Sequence, residues 1–357
     1  MAFTTINKST DFFKPKIYTG NGSTQSITGV GFQPDLNWIK SRSANENHNI
    51  VDAVRGDSGA NTGYYYLSSN SSAAQASGTG NTLVSSLDAD GFSIGNNDVV
   101  NTNSGGYVSW NWKANGAGSS NTDGSITSTV SANTTSKFSI VKWTGSGANA
   151  TIGHGLGAVP TMIIVKNVST ADSYMVYHVG MGANAYNHLE TTNAALSPST
   201  AQFQATAPTS SFFYVGTADG TNKSSSDMIA YCFADVIGYS KMGYFEGNLD
   251  ADGPFVYTGF KPQFILLKNA DNSASGDEWF MEDAARSTYN PTGRKVSANL
   301  NNSETGYSSP SSWVDIDFLS NGFKIRTNDA GFNEHTMIYM CFGQTLVGTN
   351  NIPGIAR

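Results

Sequence analysis

A short stretch of this chain decides its fold, and it reads Gly29-Val30-Gly31-Phe32-Gln33-Pro34-Asp35-Leu36-Asn37-Trp38-Ile39-Lys40. The same pattern of a Gly, a Pro and an apolar run that ends in Lys occurs again at residues 155–166 and 257–268. In each copy the Gly and the Pro predict a turn, and the apolar run predicts a buried strand that emerges into solvent at the Lys. Pro is compatible with this position because it precedes the strand. The sequence therefore indicates three copies of one unit.

Other elements keep the same order around this stretch. An aromatic residue that runs into a Gly-containing turn precedes it, at residues 18–22, 143–147 and 245–248. The most apolar segments close each copy, at residues 107–112, 228–233 and 337–342. Short strands separated by turn residues are typical of β-sandwiches and jelly rolls. We therefore predict an all-β fold of three tandem repeated β-sandwich or jelly-roll-like domains, in which the strand after each Pro pairs with the closing strand.

Composition places the boundaries between these domains. Residues 114–137 consist mainly of Ser, Thr, Asn and Gly, which is typical of a linker. We predict domains at residues 16–113, 138–236 and 240–357, with the last two in direct contact. Residues 1–15 precede the first repeat, and we expect this amino-terminal arm to dock on a partner chain or on the edge of the first domain. The arm would anchor the protein in an assembly through its apolar side chains, Phe3, Ile6, Phe12 and Phe13.

The composition also excludes several classes of protein. Only 13% of the 357 residues are charged, but the 19 Phe, 16 Tyr and 6 Trp are too many large aromatic residues for a disordered chain. The net charge of -7 argues against nucleic-acid binding, which needs clustered Lys and Arg. No apolar run is long enough for membrane insertion, and the amino terminus lacks a secretory signal, so we expect synthesis in the cytoplasm.

The sequence predicts no catalytic residues, no cofactor and no metal site. The 5 His are scattered over the three copies without a ligand spacing. Cys232 and Cys341 occupy equivalent positions in separate copies, so we expect both to remain thiols. The pairs Asp88/Asp90 and Asp250/Asp252 are each followed by Gly, and a turn held by the Asp side chain accounts for them. Weak calcium binding at the surface is the alternative.

One group of carboxylates flanks an aromatic residue that could stack on a sugar ring. Trp279 stands between Asp277, Glu278, Glu282 and Asp283. Glycosidases need two carboxylates at a set separation, so this group is the candidate for a polysaccharide depolymerase. In the other two copies the corresponding segments do not keep the carboxylates. We therefore interpret the group as the solvated edge of a strand or helix.

Several motifs of the first copy occur together in a known family. They are the opening residues 1–8, the Tyr-Thr-Gly-x-Gly turn at 18–22, the Val-Gly-Phe-x-Pro-Asp strand at 30–40, Asp-Gly-Phe at 90–92 and Trp-x-Trp-Lys-Ala at 110–114. In these motifs the chain resembles virion proteins of marine tailed bacteriophages of the cyanophage and pelagiphage type. The resemblance covers the first two copies closely and the third more loosely. It implies a structural protein of the virion and brings no catalytic residues with it.

The resemblance and the residues together predict a non-enzymatic virion protein that acts by surface binding. A tail fibre or host-attachment appendage is our first hypothesis, a capsid decoration or head-knob protein the second, and a depolymerase the third. The expected partners are other virion proteins, further copies of the chain in a homo-oligomer and a host-surface glycan or receptor. The homo-oligomer is expected because few charges guard the sheet edges.

Consecutive aromatic residues indicate where such binding would take place. Three aromatic residues stand in a row at residues 64–66 and again at 212–214. Successive strand residues point to opposite faces, so in each aromatic triplet at least one ring must point away from the core. Exposed Tyr among Ser, Asn and Gly is typical of binding surfaces. Packing against a neighbouring domain or subunit is the alternative. The predicted binding surface comprises Tyr64, Tyr65, Tyr66, Phe212, Phe213, Tyr214 and Trp279.

Overall fold

The computed structural model describes residues 4–59, 62–78, 80–274, 276–305 and 315–344. The described chain is almost entirely β and its sheets are antiparallel, which confirms the all-β, sandwich-like fold class. Its α-helices are single turns, namely α1 (Asp98–Asn101), α2 (Thr200–Phe203), α3 (Asp219–Asn222) and α4 (Ala330–Asn333).

The strands fall into three units, which we call the first (residues 13–112), second (138–233) and third (240–344) unit. The first contains β1 (Phe13–Thr19), β2 (Gln25–Thr28), β3 (Leu36–Ser41), β4 (Asn49–Asp52), β5 (Tyr65–Leu67), β6 (Ala76–Ser77), β7 (Val84–Asp88), β8 (Gly91–Ile94) and β9 (Gly106–Trp112). Between the first and second units lie β10 (Ser119–Asn121) and β11 (Ser128–Asn133). The second contains β12 (Phe138–Thr144), β13 (Ala150–Gly153), β14 (Met162–Asn167), β15 (Met175–His178), β16 (Asn187–His188), β17 (Phe212–Val215) and β18 (Asp227–Phe233). The third contains β19 (Ser240–Glu246), β20 (Phe255–Tyr257), β21 (Lys261–Asn269), β22 (Phe280–Asp283), β23 (Val296–Ser297), β24 (Ile316–Leu319), β25 (Gly322–Ile325) and β26 (Thr336–Gln344).

Each unit has a large sheet and a small sheet. The large sheets share one strand order, which is β1-β9-β3-β4 in the first unit, β12-β18-β14-β15 in the second and β19-β26-β21-β22 in the third. The strand at each repeated Pro therefore lies beside the closing strand, as the sequence predicts, but Pro262 lies inside its strand and does not precede it as Pro34 and Pro160 do. Equivalent positions in the three units follow from the residues that lie opposite each other on these two strands, which are Leu36–Trp112, Met162–Phe233 and Phe264–Phe342. The small sheets are β2-β8-β7, β13-β17 and β20-β25-β24.

A buried Asn before each closing strand explains the repeated Gly of the first turn. Asn101, Asn222 and Asn333 each end or follow the single helical turn of their unit and are fully buried. The Asn101 side chain accepts a hydrogen bond from the Asn21 backbone and donates to the carbonyl of Gly95. A Cβ on Gly20 would lie 2.3 Å from the Thr102 carbonyl oxygen, so no larger residue fits between turn and helix.

The three units share a central hydrophobic core. One face of each large sheet packs on its own small sheet, and the other face packs against the other two large sheets. Trp112 lies at the centre of this shared core and contacts rings of all three units, including Phe138, Phe233, Phe264 and Phe342. Because both faces of the large sheets are covered, β3, β9 and β14 are buried along their whole length and the other central strands along most of it. The units are therefore packed together and are not separate bodies on a linker.

This packing corrects our prediction for the Lys at the end of each repeated strand. Lys40, Lys166 and Lys268 do not emerge into solvent but are completely buried. Each ammonium donates a hydrogen bond to the carbonyl of the next residue, with Nζ–O distances of 2.9 Å for Lys40 and 2.7 Å for Lys166. Burial lowers the pKa of all three to about 8. A neighbouring unit covers the end of the strand that carries this Lys, which would be exposed to solvent in a single isolated sandwich.

Residues 114–137 are not a free linker, contrary to our prediction. Strand β11 pairs with the first strand of the second unit from Thr129–Lys142 to Asn133–Phe138, and β10 pairs with β11 in turn. Val130 is the apolar residue of this strand that enters the core of the second sandwich. Large apolar side chains are scarce because β11 and β10 lie at the edge of the sheet, with part of their surface exposed.

The last residues of the amino-terminal arm join the edge of the first unit through β1, as one of our alternatives predicts, but the arm also enters the shared core, which we did not predict. Ile6 and Phe13 are buried there, and the Phe13 ring lies 4.9 Å from that of Phe342 in the third unit. Phe12 packs against the same core and lies 6.3 Å from Tyr239. The predicted arm residue Phe3 lies outside the described residues. The arm therefore fastens the first unit to the third within one chain.

Candidate functional site

Buried polar side chains join the units in a ring. In the first unit, Asp52 forms an ion pair with Arg55 and accepts a hydrogen bond from the Tyr231 hydroxyl of the second unit at 2.9 Å. In the second, the His178 Nε2 donates to the Tyr339 carbonyl of the third unit at 3.0 Å. Burial lowers the pKa of His178 to about 4, so its ring is neutral at pH 7.

The third unit closes this ring on the first. Asp283 forms an ion pair with Arg286 and accepts a hydrogen bond from the Trp110 Nε1 of the first unit at 3.0 Å. The Arg286 guanidinium lies 5.4 Å from the centre of the Trp110 ring. Asp52, His178 and Asp283 occupy equivalent positions, since they pair with Leu36, Met162 and Phe264. The Asp-x-x-Arg spacing at 52–55 and 283–286 is a signal in the sequence that our comparison of the carboxylates overlooked.

Trp279 belongs to the same set of contacts and is not a binding residue. Only 1% of its surface is exposed, and its Nε1 donates to the His188 carbonyl of the second unit at 3.0 Å. The residue at the equivalent position of the second unit is Tyr174, whose hydroxyl donates to the Ser68 carbonyl of the first unit. These side chains hold neighbouring units together, so the sequence prediction of a surface at Trp279 is wrong.

Three of the four carboxylates around Trp279 are buried and Glu278 is half-buried, which corrects our interpretation of a solvated edge. Asp283 is paired with Arg286, and Asp277 accepts a hydrogen bond from the Ala274 backbone at 2.8 Å. Glu278 accepts one from the side chain of Asn299. Trp279 does not stand open beside these groups, so they do not form a sugar-binding cleft.

Of the two predicted acidic turns, the one at Asp250 is held by its own Asp side chain, whereas the Asp90 side chain instead holds the turn at residues 29–31. The exposed carboxylate of Asp90 accepts hydrogen bonds from the backbones of Gly29 and Gly31, and these bonds lower its pKa. Asp250 accepts one from the Asp252 backbone at 2.8 Å. The described residues contain no group of three or more His, Cys, Asp or Glu side chains placed to hold a metal ion. Cys232 and Cys341 are buried and unpaired, as predicted.

The aromatic triplet at residues 64–66 is half-buried. Tyr64 and Tyr66 pack against the core of the first sandwich. Tyr65 lies between them on β5 and is also half-buried. This triplet therefore offers only partial ring surface for binding.

The second triplet lies on the outer face of a small sheet. Phe213 points into the sandwich and is buried, whereas Phe212 and Tyr214 point outward and are half-buried. Their ring centres are 5.5 Å apart in an edge-to-face arrangement. Thr151 and Gly153 on β13 lie opposite them and leave the rings uncovered on that side. The structure therefore places two of the three predicted residues side by side on one exposed face.

The third unit carries a more exposed aromatic pair on the same face. Phe255 and Tyr257 are 47% and 55% exposed, and Val256 between them is buried in the sandwich. The Lys241 ammonium lies 5.9 Å from the centre of the Tyr257 ring and donates to its carbonyl. The sequence analysis missed this pair, although Phe-Val-Tyr at 255–257 is a short alternating strand and the alternation was the available signal.

The first unit has small hydroxyl residues where the third has aromatic ones. Strand registers make Ser26 and Thr28 the counterparts of Phe255 and Tyr257. The Ser26 and Ser93 hydroxyl oxygens are 2.9 Å apart across the two strands. The fold thus tolerates Ser at these positions, so folding does not require the aromatic rings of the third unit. Exposed apolar groups that the fold does not need are candidates for binding.

Comparison with known proteins adds a family but no activity. A family model described as a domain of unknown function (DUF7483) matches residues 8–345. No curated protein matches the chain. None of the helices among the described residues has the length and apolar character that crossing a membrane requires.

Proposed function

We propose that this chain, which belongs to the DUF7483 family, is a non-enzymatic structural protein of a tailed-bacteriophage virion that acts by surface binding. It would form part of a tail fibre or host-attachment appendage. The resemblance of the motifs at residues 18–22, 30–40 and 110–114 to phage virion proteins supports the virus class. Other virion proteins would be its partners at one end, and a host-surface glycan or receptor at the other.

One observation carries the binding role, which is the exposed aromatic pair on the outer face of the third unit. Aromatic rings on a flat sheet offer a stacking surface for a sugar ring, and the fold does not require them, because the first unit has Ser26 and Thr28 instead of Phe255 and Tyr257. Phe212 and Tyr214 form a second such pair on the same molecule. We call the pairs Phe255/Tyr257 and Phe212/Tyr214 the two platforms. Because both lie on one molecule, weak binding at one would strengthen binding at the other.

A capsid decoration protein is the second candidate, and the ring of three units favours it. Three similarly built units around one core give a single chain approximate threefold symmetry. Such a body can occupy a local threefold position of a shell while making similar contacts with each neighbour. Association of several copies in the particle stays part of both proposals.

Locating the protein in purified particles separates these candidates. We expect mass spectrometry to detect the chain in particles, and a reconstruction to place it on the tail or at the host-attachment appendage. Density on the shell would support the decoration role instead. Absence of the chain from particles would overturn the virion proposal.

Binding is tested with variants that transfer the residues of the first unit to the third. We expect Phe255→Ser/Tyr257→Thr to lower binding to host cells or to an array of bacterial glycans at least tenfold, because stacked aromatic rings dominate such contacts. Tyr289→Ser is the control, since Tyr289 is 82% exposed and lies outside both platforms. If neither Phe255→Ser/Tyr257→Thr nor Phe212→Ser/Tyr214→Ser lowers binding, these two aromatic pairs are not the binding surface.

A further inference from the structure

The interior of the third sandwich contains ionisable side chains where the first sandwich is apolar. Glu282 lies on β22, and Lys295 and Asp315 directly precede β23 and β24, so the strand registers extended by one residue place all three at these positions. The second sandwich also has uncharged residues, Tyr177 and Tyr186, at the first two of them. The counterparts in the first sandwich are Val51, Tyr66 and Leu83, which all belong to its hydrophobic core. The fold therefore does not require charge here.

The two carboxyls are buried, Lys295 is half-buried beside them, and the group is incompletely paired. Glu282 is 1% exposed and Asp315 is fully buried. The Lys295 ammonium lies 3.5 Å from an oxygen of Asp315 and 4.3 Å from the centre of the Phe332 ring. The Thr292 hydroxyl donates to one oxygen of Glu282. Within the described part of the chain, the other Glu282 oxygen and both Asp315 oxygens have no hydrogen-bond partner of good geometry, although Asp315 lies close enough to Glu282 and Lys295 for both side chains to affect its pKa.

Charge balance in this interior requires a proton. One ammonium neutralises one carboxylate, and a second buried carboxylate would be left without a counter-charge, which is costly away from water. Burial, with the charge of Asp315 as the second cause, raises the pKa of Glu282 to about 8, and burial also raises the pKa of Asp315. At neutral pH the two carboxyls therefore hold one proton between them.

We propose that Glu282 and Asp315 form a pH-sensitive element that holds the third sandwich closed while they share a proton and loosens it when the proton leaves. The two carboxyls lie on β22 and directly before β24, which belong to the large and the small sheet of this sandwich. Repulsion between two carboxylates would therefore act to separate the sheets.

Among the described residues, no other positively charged side chain neutralises the second carboxylate in place of the proton. Arg286 is already paired with Asp283 and Glu304. Asp329 adds further negative charge near Asp315 and is engaged with the Gly331 backbone. On β26, Cys341 and Tyr339 belong to the same interior, and burial raises the pKa of both groups, so they stay neutral over the range in which Glu282 titrates.

The direction of the pH effect follows from the raised pKa. Between pH 4.5, the ordinary value for Glu, and about 8, the folded state keeps a proton that the unfolded chain has lost. The free energy of unfolding therefore falls as pH rises through this range and levels off above it. One such proton raises the unfolding constant by up to about tenfold per pH unit.

Hydrogen exchange on the full chain at pH 5, 6, 7 and 8 tests the proposal, with protection factors corrected for the intrinsic pH dependence. We expect protection of β22 and β24 to fall more steeply with pH than that of β4 and β7 of the first unit, which reports only unfolding of the whole molecule. Glu282→Gln should abolish this fall, because the amide cannot ionise. The same pH dependence in Glu282→Gln as in the unchanged protein would overturn the proposal.

Two further variants separate proton binding from general destabilisation. Glu334→Gln removes a carboxylate from the turn before β26, outside this interior, and should leave the pH dependence intact. Glu282→Val/Lys295→Tyr/Asp315→Leu transfers the residues of the first sandwich and should give a third unit whose protection does not vary with pH. If this triple variant does not fold, Glu282→Gln decides the question alone.

Discussion

At the scale of single residues, Trp279 shows why an aromatic among acidic residues is ambiguous in a sequence. Its indole is hidden by the second unit, whose His188 carbonyl accepts its hydrogen bond. Only the packing between units distinguishes this residue from an exposed sugar-binding ring. Phe255 and Tyr257, whose rings are exposed, stand in a less conspicuous stretch.

The Trp279 hydrogen bond should contribute measurably to stability. We expect Trp279→Phe to lower the free energy of unfolding by roughly 0.5–1.5 kcal/mol through the lost hydrogen bond across the units, beyond the loss caused by the smaller ring. Trp143→Phe is the matched control, since Trp143 is equally buried but its Nε1 has no hydrogen-bond partner in the described chain. Urea unfolding followed by circular dichroism measures the difference. Equal losses in the two variants would show that the bond across the units contributes nothing.

The buried lysines predict a second pH effect, opposite in sign to that of Glu282. Burial lowers the pKa of Lys166 from 10.5 to about 8, so between these values the unfolded chain holds a proton that the folded state has lost. Lys166 therefore makes the free energy of unfolding rise with pH over this range. We expect Lys166→Met to flatten this rise in urea titrations at pH 8, 9 and 10. Lys142→Met, which removes a surface lysine paired with Asp227, should not flatten it.

At the scale of elements, the first strand of each large sheet shows how the chain protects its edges. Pro15, Ile140 and Met242 are equivalent, because they pair with Trp110, Tyr231 and Met340 of the closing strands. Pro15 has no N–H to offer, Ile140 pairs with Ser131 of β11, and the Met242 N–H donates to Asp235 at 3.0 Å. Each unit thus blocks the same edge position in a different way, as natural sheets do to avoid edge-to-edge aggregation.

The Asp235 contact predicts an effect on aggregation. Asp235→Ala should free the Met242 N–H and expose the β19 edge, so we expect faster aggregation at micromolar concentration and a loss of roughly 1 kcal/mol in stability. Light scattering over time measures the first effect and urea unfolding the second. Asp250→Ala is the control, because Asp250 holds an exposed turn away from this edge. Aggregation at the same rate in both variants would count against edge protection by Asp235.

The sequence allowed much of each unit to be predicted but not how the units pack. The turn at Pro34, the strand after it and the pairing with the closing strand follow from local apolar runs and turn residues. The role of residues 114–137 did not, because an edge strand with one exposed face has the same Ser/Thr composition as a linker. The burial of Lys40 was likewise invisible, since it depends on contacts with another unit. Of the predicted binding surface, Phe212 and Tyr214 lie on an exposed face, whereas Trp279 does not.

At the scale of the whole molecule, the three units form a closed ring like the subunits of a cyclic trimer. Backbone contacts close the ring in the same direction, with the Gln75 N–H donating to the Val168 carbonyl, Ala195 to Ala270 and Glu304 to Arg42. Our expectation of a homo-oligomer assumed that sheet edges need a neighbouring subunit. Because the chain covers or blocks these edge positions itself, association with other copies would use a different surface, such as the outer faces of the small sheets.

The shared core predicts that the three units unfold together. Trp112 contacts rings of the second and third units, so Trp112→Ala should destabilise all three at once, by roughly 3–5 kcal/mol. We expect calorimetry to show a single transition in the unchanged protein and in this variant, with equal calorimetric and van't Hoff enthalpies. Phe213→Ala is the comparison, because Phe213 packs only within the second sandwich. If the units are coupled, this variant also shifts the whole transition without splitting it. Separate transitions, with only the second-unit peak displaced by Phe213→Ala, would show that the units are independent domains despite their common core.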